Sequence, residues 1–259
     1  MPRPGHSALI QPRTGALGLP VLQSGDVWFD ATSYNASGGL VTSFIDRNDP
    51  THLMAAANSA RRVAVPTNDS ALASQPSVTC ATAQYLSNKP ASYWTFTHNG
   101  TAAEWFFVFV TDSVTGERYL FDQAGTNGAV YQGDASAFRN FGLNTNYEIT
   151  AAATYQAGQS LGRIWAEHGL TLGQGAYLNG TLQGSHFTLR RGATLLGDEY
   201  TWNAPGTQDA PGTMMFFDDG FGNYWIGRWA CALFFRRILT NTERTTVRNY
   251  IQSAYGVSP

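Results

Sequence analysis

Gly227–Val257 reads GRWACALFFRRILTNTERTTVRNYIQSAYGV, and its pattern decides the fold. Trp229, Cys231, Leu233 and Phe235 alternate with Arg228, Ala230, Ala232 and Phe234, which is the period of a β-strand. Leu239-Thr240-Asn241-Thr242-Glu243-Arg244 then turns the chain. Thr240 and Glu243 have capping-box spacing, so each can satisfy a free N–H at a helix start. Val247, Tyr250, Ile251 and Ala254 recur at helical spacing, and Gly256 sits where a left-handed cap would stop the helix. The stretch therefore predicts one strand, a sharp turn and a short closing helix over Thr240–Tyr255.

Upstream, the chain is a succession of strand signals. Val27 to Ala31 opens the folded part, and Gly39–Asp46 alternates. Arg47–Arg62 is a polar, Ala-rich excursion, and Gln75–Cys80 is a strand. Tyr93–Thr97 alternates. Glu104–Thr111 is almost continuously apolar, as a strand covered on both faces or central in its sheet would be. Arg118–Asp122, Tyr147–Ala153, Leu161–Glu167 and His186–Arg190 follow, and Asn179-Gly180 reads as a primed hairpin turn. About twelve or more short strands with regular turn signals mean an antiparallel β-sandwich. No stretch before Thr240 has helical periodicity, and nothing repeats at a fixed period.

Composition narrows the class. The 259 residues suit one large all-β domain or two small ones, and 43% are hydrophobic, ample for a core. Only 13% are charged, about half the usual share. A net charge of −2 carries no nucleic-acid footprint. Lys89 is the sole lysine beside fifteen arginines, which fits a GC-rich genome and removes one guard against edge-to-edge strand pairing. No apolar run reaches 18 residues, so no membrane span is expected. Residues 1–25 contain no h-region, so synthesis in the cytoplasm without a signal peptide is expected. Cys80 and Cys231 are too few for a secreted disulfide scaffold.

The closing stretch resembles the C-terminal signature of LamG-like jelly rolls in the concanavalin A-like lectin/glucanase superfamily: a Gly-led strand, an Arg-x-Leu-Ser/Thr turn, and an Asp/Glu-Arg helix ending Tyr-Gly. Trp28-Phe29-Asp30-Ala31 resembles the family's Trp-x-Asp-Ala start. Gly39–Asp46 resembles its next strand, Val65-Pro66-Thr67 its Arg-Pro-Thr step, Gln75–Cys80 its following strand, and Tyr177–Gly180 its Tyr-Val-Asn-Gly hairpin. The resemblance implies two curved antiparallel sheets face to face, closed by one C-terminal helix, with residues 26–259 as the jelly-roll domain. It also puts Cys80 and Cys231 on adjacent strands at inward-facing positions. That implies neighbouring buried sulfurs, as free thiols rather than a disulfide.

Catalytic signatures are scarce. The superfamily's glycanases carry Glu-x-Asp-x-(x)-Glu on one strand, placing an acid and a nucleophile on one face. Glu104, Glu117, Glu148, Glu167, Glu199 and Glu243 offer no such pair. There is no Gly-x-Ser-x-Gly elbow, no Cys-x-x-Cys and no His-Glu-x-x-His, and the five histidines are scattered. No enzyme and no resident cofactor are expected. Calcium is the one metal worth considering, at Asp218, Asp219 and Asn223, although Asp-Gly and Gly-Asn are also ordinary turn dipeptides. A sugar site would need exposed aromatics beside polar groups. Asp198, Tyr200 and Trp202 share a strand face, and Tyr224 and Trp225 adjoin the acidic loop. Trp28, Trp105, Trp165 and Trp229 read as core.

Residues 1–25 stand apart, with no acidic residue and with Pro2, Pro4, Pro12 and Pro20. They read either as a disordered tail or as an extended arm laid on another protein subunit, with Ile10, Leu17, Leu19 and Leu22 as its contacts. Three functional classes follow. The first is a structural or attachment module on the surface of a phage virion (head decoration or tail fibre), able to bind glycans while assembled. The second is a carbohydrate-binding lectin module. The third, a glycoside hydrolase, is disfavoured by the missing carboxylate pair.

Overall fold

The computed structural model describes residues 19, 21–56, 58–80, 86–88, 96, 101–112, 121–124, 137–139, 146–151, 162–167, 170–184, 186–200, 213–216 and 226–258. Its strands are β1 (Val27–Asp30), β2 (Tyr34–Ser37), β3 (Leu40–Ile45), β4 (Leu53–Ala55), β5 (Thr67–Asp69), β6 (Gln75–Cys80), β7 (Leu86–Asn88), β8 (Ala103–Thr111) and β9 (Phe121–Ala124). They continue as β10 (Ala137–Arg139), β11 (Asn146–Ala151), β12 (Gly162–Glu167), β13 (Gly175–Gln183), β14 (His186–Arg191), β15 (Thr194–Tyr200), β16 (Thr213–Phe216) and β17 (Gly227–Phe235), and the helix α1 spans Asn241–Tyr255. One sheet has the order β15-β14-β13-β8-β17-β6-β5, with β1 also paired to β17. A six-stranded sheet runs β2-β3-β4-β7-β16-β9, and β10-β11-β12 form a third. The fold is the expected antiparallel β-sandwich with one C-terminal helix.

The apolar run in β8 has a physical cause: its sheet is covered on both faces. Trp105, Phe107 and Phe109 point into a core shared with Val41, Phe44 and Met54 of the six-stranded sheet. Phe44 meets Trp229 edge-on at 5.0 Å between ring centroids. Phe106, Val108 and Val110 point the other way, into a second core with Val247, Ile251 and Tyr255 of α1. All nine residues of β8 are buried. Burying each of the three helix side chains contributes at most about 1.5–3 kcal/mol.

The capping box forms as predicted. The Glu243 N–H donates to Thr240 Oγ1, and the Thr240 N–H donates to the Glu243 carboxylate. Gly256 has φ 66°, a left-handed cap that lets its N–H reach the Gln252 carbonyl.

Several expectations need correction. Asn179-Gly180 is not a turn but lies inside β13, and the chain reverses only beyond Gln183. Gly180 sits against the Trp105 indole, where any Cβ would overlap the ring. The polar excursion after Arg47 contains β4, which buries Met54. The cysteines are free, buried and on adjacent strands, as expected, but on opposite faces: Cys80 faces the inter-sheet core and Cys231 the helix core. A bulge between Trp229 and Cys231 is the reason, since the extra residue flips every later side chain. Cys80 pairs with Gly227, so four residues, about 13 Å of strand, also separate the two. Finally, Leu19 is buried in the chain's own helix-side core, with Val21 and Leu22 packed against it. Leu19 is thus committed within the chain rather than held out for a neighbour, while Ile10 and Leu17 lie outside the described residues.

Candidate functional site

Among the described residues, the buried carboxylates of Asp26, Asp30, Asp69 and Glu104 are spent on fastening the fold. Glu104, fully buried in β8, accepts from the Leu239 N–H at 3.0 Å, from Arg244 Nε at 2.7 Å and Nη2 at 2.9 Å, and from Asn179 Nδ2 at 3.0 Å. It ties α1 to the middle of the sheet. Asp69 caps a short 3-10 turn at Ala71, accepts from Ser77, and pairs with Arg228 at 2.7 Å. Arg228 also holds Asp112 at 3.0 Å. Asp26 pairs with Arg237 at 2.6 Å, and Asp30 with Arg47 at 2.5 Å. Glu243 is held well below the usual range, at about 2, first by the Thr240 N–H and then by Arg237. A retaining glycosidase needs two carboxyls about 5–5.5 Å apart facing a substrate. Glu104 and Glu243 are the glutamates whose side chains are described, and both are occupied structurally.

Nucleophile chemistry is equally constrained. Burial pushes the Cys80 thiol well up, and it pushes the Cys231 thiol up too. Neither is a ready thiolate. Among the described residues no group of three His, Cys, Asp or Glu side chains could hold a metal ion.

Of the predicted sugar residues, two fall on a described strand. Asp198 and Tyr200 lie on β15, the edge strand, with Tyr200 opposite His186. β17, which starts at Gly227, lies four strands from β15, about 19 Å across the sheet. The register also puts Tyr200 and Gly227 at opposite ends of that sheet. Trp202, Tyr224 and Trp225 themselves lie outside the described residues, as do the calcium candidates Asp218, Asp219 and Asn223.

Two surfaces went unread in the sequence. The first crosses the six-stranded sheet. Its register lines up Asn35, Ser43, Ala55, Ser87, Met215 and Asp122 in one row through all six strands. Phe44 and Met54 of β3 and β4 take the core side, which leaves Ser43 and Ala55 on the opposite face. Asn35 Nδ2 donates to Ser43 Oγ at 3.0 Å, fixing one end of the row. On β2 to β4 that face carries Asn35, which is exposed, the buried Ser43 and the half-buried Ala55. The members of the row are spread from residue 35 to residue 215, so only strand pairing reveals it.

The second surface is a cavity of about 460 Å³ between the Thr171–Tyr177 segment, the Arg191–Thr194 turn and Gly256–Ser258. Arg191 is its one charged lining residue. Its single aromatic, Tyr177, is 1% exposed and so presents no ring face to a sugar.

No family model matches the chain, and no curated protein matches it. Solved structures do. Trypanosoma rangeli sialidase in complex with 2,3-difluorosialic acid aligns with TM-score 0.58 and 11% identity, covering 90% of this chain and 34% of that one. The same sialidase with the inhibitor DANA aligns with TM-score 0.57 and 12% identity, over 93% of this chain and 35% of that one. The K499G mutant of NanB sialidase from Streptococcus pneumoniae aligns with TM-score 0.50 and 11% identity, over 66% of this chain and 27% of that one. This chain thus spans about a third of those proteins or less, and the likeness is one of fold alone.

Proposed function

We propose that this chain is a non-catalytic attachment module, built into the surface of a phage virion as a head decoration or a tail or fibre component, that holds glycans on the open face of its six-stranded sheet. The observation that carries the reading is the exposed Asn35, hydrogen-bonded to Ser43 and followed in register by Ala55, on the side of β2 to β4 away from the core. An exposed amide beside small side chains offers hydrogen bonds to sugar hydroxyls. The non-catalytic assignment is supported by the structural use of every buried carboxylate described above. The solved structures of similar fold are sialidases, one of them holding a sialic-acid derivative, which suits a carbohydrate role for the fold.

Within that fold we read the chain as LamG-like, on the strength of the Gly227–Val257 signature. The virion assignment and the protein partners rest on residues 1–18, apolar and Pro-interrupted, as a contact with neighbouring subunits. The competing reading is a free-standing lectin domain. Glycan-array binding, set beside sedimentation mass, separates the two. An attachment module self-associates or joins virion proteins and binds glycans more strongly when multivalent. A lectin binds a defined sugar as a monomer. Binding to no glycan in either state would remove the carbohydrate part of the proposal.

A further inference from the structure

Asp46 directly follows β3, and its side chain is completely buried. Its Oδ1 accepts from the Trp28 N–H at 3.0 Å and from the Asn48 N–H at 2.9 Å. Asn48 in turn donates from Nδ2 to the Gln23 carbonyl at 2.8 Å and the Asp26 carbonyl at 2.7 Å. One carboxylate thereby organises the hold on the segment that leads from the N-terminal residues into β1. The other oxygen, Oδ2, accepts no hydrogen bond among the described residues and lies 3.8 Å from His52 Nδ1. Asp49 Oδ2 is 3.3 Å from the same nitrogen. The remaining charges on neighbouring elements are engaged elsewhere: Arg47 and Asp30 with each other, and Asp26 with Arg237. Among the described residues, His52 is thus the basic side chain beside the buried oxygen.

We propose that Asp46, Asn48 and His52 form a pH-sensitive clasp on the Gln23–Asp26 lead-in, which closes on acidification and loosens toward neutral and alkaline pH. The direction follows from burial. Closing the clasp takes Asp46 out of water, and this desolvation raises its pKa from 3.8 to about 6, against the lowering effect of the Trp28 and Asn48 N–H groups and of His52. Opening returns the carboxyl to water and to its ordinary value. The closed form therefore binds the proton more tightly than the open form, and protonation favours closure. Between pH 7 and pH 5 the ratio of closed to open rises about tenfold, and nearly all of the effect falls between about pH 3 and pH 7. The consequence concerns the N-terminal residues: their point of entry is held firmly in acid and less so above pH 6. This inference is independent of glycan binding.

Hydrogen-exchange protection factors of the Trp28 and Asn48 amides, measured on the full chain from pH 4.5 to pH 7.5, test it. The expected result is a rise of about tenfold from pH 7 to pH 5, with the Val247 and Ile251 amides of α1 unchanged. Asp46→Asn keeps the Oδ1 acceptor without a titrating charge, so its protection should be flat with pH. His52→Gln removes the neighbouring cation and should move the midpoint upward. A fall in protection on acidification would overturn the proposal. So would an unaltered pH profile in Asp46→Asn, or an equal rise at Val247 and Ile251, which would place the proton's effect on global unfolding instead.

Discussion

Removing the Glu104 carboxylate should be among the most damaging single changes in this chain. Glu104 is fully buried and receives four hydrogen bonds, two of them from the Arg244 guanidinium, whose side chain is 14% exposed. Glu104→Ala leaves that guanidinium, the Leu239 N–H and one Asn179 donor facing an apolar void. Breaking one side of a buried ion pair costs about 3–5 kcal/mol. With a urea m-value of about 2–3 kcal/mol/M, the midpoint should fall by about 1–2 M with m unchanged. The mechanism predicts a second result. Glu104→Ala combined with Arg244→Met removes both charges, so the double variant should be more stable than Glu104→Ala alone, because an unpaired buried charge is worse than none. Equilibrium urea unfolding followed by tryptophan fluorescence measures all three proteins. A midpoint shift below about 0.3 M for Glu104→Ala, or strictly additive losses in the double variant, would refute the claim that this cluster fastens α1 to the sheet.

Other consequences can be checked in the same preparations. Thr240→Ala removes one side of the capping box and should cost about 1 kcal/mol in the same urea assay. Glu243 is held below its ordinary pKa, so its contribution is complete above about pH 4.5 and is lost as pH falls toward 2; the melting-temperature gap between wild type and Glu243→Gln should close over that range. Gly180→Ala puts a methyl into the Trp105 ring position and should destabilise by at least about 1–3 kcal/mol, with altered near-UV circular dichroism from the indole. Both thiols are buried, so Ellman's reagent should find neither Cys80 nor Cys231 in the native protein and both in denaturant.

What was legible in the sequence was local. The strand–turn–helix close, the caps at Thr240 and Gly256, and the both-sides-buried character of β8 each follow from neighbours in sequence. What was not legible depends on partners far along the chain. Asn-Gly usually marks a turn, yet here Gly180 makes room for Trp105 and Asn179 feeds Glu104, constraints set some 75 residues away. The face of Cys231 is inverted by a bulge that alternation alone cannot reveal. β4 has only three residues, too few to show a period. For the site, Tyr200 sits on the edge strand β15, and the other aromatic residues chosen from sequence lie outside the described residues. The Asn35–Ser43–Ala55 face and the Asp46 clasp use ordinary residues, Ser, Ala, Asn and Asp, whose meaning appears only once strands β1 to β4 are in place.

The central claim is that the open face of the six-stranded sheet holds a glycan. Titration calorimetry with the strongest array ligand, on wild type, Asn35→Ala and Ala55→Glu, tests it most directly. Asn35 is exposed and Ala55 is partly exposed, so neither change should lower the melting temperature appreciably. The account predicts saturable binding by wild type, a loss of about tenfold in affinity for Ala55→Glu, which puts a charged chain across the row, and a smaller loss for Asn35→Ala. Binding by both variants equal to wild type, in folded protein, would contradict it.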